Sequence, residues 1–117
     1  MSTTLHDQIE VIESGYEFLL AYAAQGRESD TSGAGPSEVR NTLTGMSEAA
    51  ATVSKLLQKE EHEFAAIAVD DARKSMAAIS LVLAQPQISS ELIDNLNASI
   101  HLRALLTDLF LLDDAKL

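Results

Sequence analysis

The chain has 117 residues, 46% of them hydrophobic, a net charge of −10 and no cysteine. That length fits one domain with a real core, and the absence of cysteine excludes disulfides, thiolate metal sites, iron–sulfur clusters and a cysteine nucleophile. Eighteen acids against eight bases disfavour binding to phosphate backbones or anionic membranes.

The apolar residues are mostly Ala, Leu, Ile and Val, with two Tyr and three Phe as the aromatics. With few turn clusters, this composition favours an all-α fold. The start, MSTTLHDQIEVIES, has no basic stretch ahead of an apolar one and reads as helix rather than signal peptide. No run reaches the roughly 18 apolar residues needed to span a bilayer. A cytoplasmic setting is expected.

The first helix is expected over about 4–24. Leu5, Ile9, Ile12, Tyr16, Leu19 and Ala23 step by 4,3,4,3,4 and form a core seam. A second stripe of Val11, Gly15, Phe18 and Tyr22 lies roughly 100° round the wheel. The apolar face is wider than one neighbouring helix requires. Gly15 in mid-helix costs about 1 kcal/mol relative to Ala, which implies a close approach by a neighbour.

Residues 25–37 read as a loop, long for a bundle connection and expected to be mobile. Gly26 is the expected helix stop and Ser37 the next N-cap. It is not a phosphate-binding loop, because the Gly-Lys-Ser/Thr ending is missing.

The second helix carries Val39, Leu43, Met46, Ala50, Val53 and Leu57 at the same 4,3 spacing. The seam lapses across QKEEHE, residues 58–63, then resumes from Phe64 to Leu83 and stops before Pro86. The lapse predicts a helix–helix turn and an antiparallel four-helix up-down bundle over residues 1–117. The alternative is an unbroken helix over 37–84, roughly 70 Å long, which would demand an elongated or swapped dimer.

The last helix is expected from Ser89 or Ser90 to about Asp113. Its apolar residues cover nearly the whole wheel, leaving a polar strip of Asp94, Asn97, His101 and Asp108. A helix apolar all round is buried, and a chain this short has little else to bury it. The surplus predicts self-association as a homodimer through Val11, Phe18, Tyr22, Leu102, Leu105, Leu109, Phe110 and Leu112.

Chemistry-bearing motifs are scarce. A carboxylate-bridged two-metal centre needs Glu-x-x-His on two helices; the residue three before His62 is Lys59, before His101 Ala98 and before His6 Thr3. His62 with Glu60, Glu61 or Glu63 forms a charged turn, since adjacent helical positions point apart. Phosphotransfer at His62 or His101 lacks the accompanying Lys and Gly. No metal, cofactor or catalytic residue is expected. The leading functional expectation is a non-catalytic accessory or adaptor protein that binds itself or another protein with a basic surface. The rival is a bundle that binds a small molecule or metal, lined by Tyr16, Tyr22 and His101.

Overall fold

The computed structural model describes residues 2–31 and 37–115, with side chains from Leu5. Among these residues there are five helices and no strand: α1 (Ser2–Ala23), α2 (Glu38–Leu57), α3 (Glu63–Leu83), α4 (Ser90–Ala98) and α5 (His101–Ala115). Helix α2 packs between α1 and α3, while α4 and α5 together close the remaining side against α1 and α3.

The turn at 58–62 ends the question of a 37–84 helix: α2 stops at Leu57, so that alternative is wrong. His62 is the N-cap of α3. Its Nδ1 accepts the Phe64 N–H at 3.1 Å, satisfying one of the donors a helix start leaves free. Gly26 takes a positive φ of 67° just past α1, and Ser37 accepts the Arg40 N–H to cap α2. Both roles follow from their residue types.

The single helix expected from Ser90 to Asp113 is instead two. Ile100 sits at φ 65° between α4 and α5. No Gly or Pro marks this break, and a β-branched residue in the left-handed region is strained by about 1–2 kcal/mol. The break changes the reading of the helical wheel. Ile93 and Leu96 of α4 face the core, as do Leu102, Leu105, Leu106, Leu109 and Leu112 of α5. Only Ile100, Phe110 and Leu111 of this segment are large exposed apolar side chains. Rotating α5 relative to α4 lets one small bundle bury most of the apolar surface that looked superfluous on one continuous wheel.

The core runs the length of the bundle. The expected α2 seam is buried throughout, together with Ala49. From α1 come Ile9, Ile12, Leu19 and Tyr22, and from α3 Ala65, Ala68, Ala72, Ile79 and Val82. Gly15 lies where the sequence implied close approach: a Cβ there would fall 2.5 Å from Met46 Sδ. Met46 is itself buried and has little room to withdraw. Gly15→Leu is therefore expected to lower the unfolding free energy by about 1–3 kcal/mol through overpacking, read by urea denaturation; Gly15→Ala should cost less, its helix propensity offsetting part of the clash.

The loop after α1 is pinned over its described part. The Ser90 N–H donates to Arg27 O and the Arg27 N–H to Ser90 Oγ, both at 2.8 Å. Asp30 is buried and accepts from the Ile88 N–H and from Arg40 Nε, each at 2.7 Å. The rest of the expected mobile loop, 32–36, lies outside the described residues.

Candidate functional site

Two places stand out once the core is accounted for: an acid-flanked groove between α1 and α2, and a carboxyl pair between α3 and α5. The groove follows from the second stripe of α1. Of its four residues, Gly15 and Tyr22 turn inward, whereas Phe18 is half-buried and Val11 remains 43% exposed. Val11 and Phe18 form apolar walls, joined by Ser14 and Gly15, and the opposite bank is Asn41, Thr42 and Gly45 of α2. Asp7 and Glu10 complete a cleft of about 550 Å³.

The electrostatics of this face have one sign. Helix α1 contains Asp7, Glu10, Glu13 and Glu17 and no Lys or Arg. The nearer base of α2, Arg40, is taken up internally. Its Nε meets Asp30, its Nη1 donates to Leu83 O at 3.1 Å and its Nη2 to Gln85 O at 2.8 Å. Those last two bonds satisfy carbonyls at the end of α3, a helix terminus that favours positive charge. Burial alone would raise the Asp30 carboxyl, but bonds from the Ile88 N–H, Arg40 and Ser37 outweigh it and hold the group below its usual range.

The second place was visible in the sequence only as half of a pair. Asp108 belongs to the polar strip of the last helix, but its partner, Asp71 of α3, carried no signal. The two carboxyls meet across the α3–α5 contact. Asp108 Oδ2 is buried with no hydrogen-bond partner, and this burial first, then the neighbouring Asp71 carboxyl and its charge, push Asp108 up to about 7. Asp70, next to Asp71 in sequence, is engaged elsewhere by Arg73 and Lys74.

The pair has a consequence for stability with a definite sign. In the unfolded chain Asp108 titrates near 3.9. Between there and about 7 the folded chain keeps a proton that the unfolded chain has lost. Stability arising at this pair therefore falls as pH rises across that window and levels off above it. Asp108→Asn is expected to abolish this slope and to raise stability at pH 8 by about 1–2 kcal/mol, allowing for the partial hydration of the carboxyl. Denaturation midpoints of both chains from pH 5 to 8 check it.

The other expected site residues are corrected by their surroundings. Tyr22, Leu102, Leu105, Leu109 and Leu112 are core, not interface, each no more than 4% exposed. Their apolar surface is buried by the chain's own helices. Of the eight interface candidates, Val11, Phe18 and Phe110 keep surface to offer.

The pocket expected from Tyr16, Tyr22 and His101 does not form around Tyr22. That ring is fastened by its hydroxyl donating to Ile88 O at 2.7 Å, with the Arg27 guanidinium 5.0 Å from its centroid. Burial accordingly raises its phenol. Tyr16 packs half-buried against the core, and His101 opens α5, its carbonyl accepting from Ser75 Oγ at 3.0 Å. Among the described residues no three His, Asp or Glu side chains gather to hold a metal, and no helix is long and apolar enough to cross a membrane.

The chain matches no protein-family model, no curated protein and no solved structure.

Proposed function

We propose that this protein is a non-catalytic accessory or adaptor module that acts by binding another protein through the α1–α2 groove. The observation that carries the reading is the groove itself: Val11 and Phe18 present apolar surface beside Gly15 and Gly45, in a cleft open to solvent. Exposed apolar surface of this shape suits a protein segment better than a reaction, because no nucleophile–base pair or clustered ligand set lines it. Asp71 and Asp108 resemble a proton-sharing pair, yet His101 stands two turns away on α5, roughly 10 Å by helical rise, and completes no acid–base set with them.

The bundle beneath this reading is an up-down-up-down one whose fourth position is split at Ile100. Support comes from the ends of α1. Near its start His6 meets Asp113 of α5 at 3.5 Å, and near its end Tyr22 meets Ile88 and Ser90. Self-association, if it accompanies binding, would use the outer edge of α5, where Phe110 and Leu111 are exposed next to each other.

A photo-crosslinking residue at position 18, introduced into the full chain in its native host, tests the reading. A discrete heterologous adduct absent when the same residue stands at position 61 supports it. Identical adduct patterns from both positions would overturn it.

A further inference from the structure

We propose that the occupant of the α1–α2 groove is an amphipathic helix with a basic flank, contributed by a different protein; this deepens the docking function above and rests on it. Three observations identify the occupant. First, the groove lies between two helices whose backbone groups are already paired within themselves, so no edge is offered to an extended strand. A segment entering an apolar cleft must then satisfy its own backbone, which a helix does. From Asp7 to Phe18 the cleft follows about 16 Å of α1, room for roughly three turns of a partner helix.

Second, the charge of the groove is complementary to a base. Asp7 and Glu10 line the groove and no Lys or Arg does. Arg40 is committed to Asp30 and the end of α3. A second copy of the chain brings another net −10, with the same acids on the same face, so self-association here would oppose like charges. Lysines or arginines flanking an apolar stripe would meet Asp7 and Glu10 instead.

Third, Gly45 is unexplained by the chain's own packing. Gly15 is crowded by Met46, but a Cβ on Gly45 would meet nothing within 4 Å. A glycine inside α2 lowers helix stability relative to alanine, and the space it leaves is the groove. The missing side chain lets a partner helix come close, as small residues do at tight helix contacts.

The experiment uses the full chain and three synthetic 18-residue helices sharing one leucine stripe, flanked by Lys, Gln or Glu, with binding measured by calorimetry at low salt. The Lys helix is expected to bind at least tenfold more tightly than the Gln helix, and the Glu helix not measurably. Gly45→Leu should weaken binding of the Lys helix at least tenfold while the free chain unfolds at no lower urea concentration. The double change Asp7→Lys with Glu10→Lys should do the same, whereas Glu60→Lys with Glu61→Lys, at the α2–α3 turn, should change binding less than twofold. Equal binding of the Gln and Lys helices would overturn the basic partner and leave groove docking standing. Binding of none of the three would overturn both. Equal loss from the two charge reversals would mean attraction to the whole acidic chain, and the proposal would fall.

Discussion

Replacing Asp30 with alanine is expected to lower the unfolding free energy by about 3–5 kcal/mol, measured by urea denaturation at pH 7. The side chain is 1% exposed and joins the loop after α1 to Arg40 of α2 and to Ile88, 58 residues away. Its removal strands the Ile88 N–H and leaves Arg40 without its anion. Losing one partner of a buried pair costs more than the pair contributes, because the remaining charge stays desolvated. Arg40 is partly exposed and retains the Leu83 and Gln85 carbonyls, which places the loss toward the lower end of that range. Asp30→Asn keeps an acceptor for Ile88 but not the charge, so it should cost less. The depressed Asp30 carboxyl adds an acid limb: its contribution is present above the unfolded value near 3.9 and is lost as pH falls through the lower folded value. The alanine variant should lack that limb.

The neighbouring positions 109 and 110 give the second large effect, through their contrast. Leu109 is 0% exposed and Phe110 42% exposed, one residue apart on α5. Leu109→Asp places a carboxylate in the core with no partner and should unfold the chain or destabilise it by at least about 4 kcal/mol. Phe110→Asp should stay folded, within about 1 kcal/mol of the parent. If Phe110 helps join two copies, the substitution will lower the sedimenting mass without loss of helix. Far-ultraviolet circular dichroism and sedimentation velocity on the two variants read both outcomes.

These residues also show what was legible in the sequence and what was not. The 4,3 seams of α1 and α2 report a helix's own inward face, and they located Ile9, Ile12 and Leu43 correctly because that face depends only on local periodicity. The apolar lapse over residues 58–63 marked the turn for the same reason. The break at Ile100 left no such trace. No Gly or Pro announces it, and it follows from tertiary packing that a one-dimensional pattern does not encode. On one continuous helix Leu102, Leu105, Leu109 and Leu112 count as surplus surface; on the broken one they are core. Asp71 with Asp108 is a meeting across two helices, and Asp30 with Arg40 one between a loop and a helix, so either member alone reads as an ordinary solvated charge. Val11 and Phe18 belong to an apolar face wider than one neighbour fills, and both keep surface outside the core. Gly45 carries no signal in the sequence, because a mid-helix glycine acquires meaning only once its surroundings are known.

The most direct test of the central claim is backbone amide shift mapping of the isotopically labelled full chain, titrated with the Lys-flanked helix. Groove docking predicts perturbations concentrated on residues 7–18 and 41–45, with the amides of Asp108 and Phe110 unchanged. Perturbations centred on α5 or on the Lys59–Glu63 turn, with residues 7–18 silent, would contradict it.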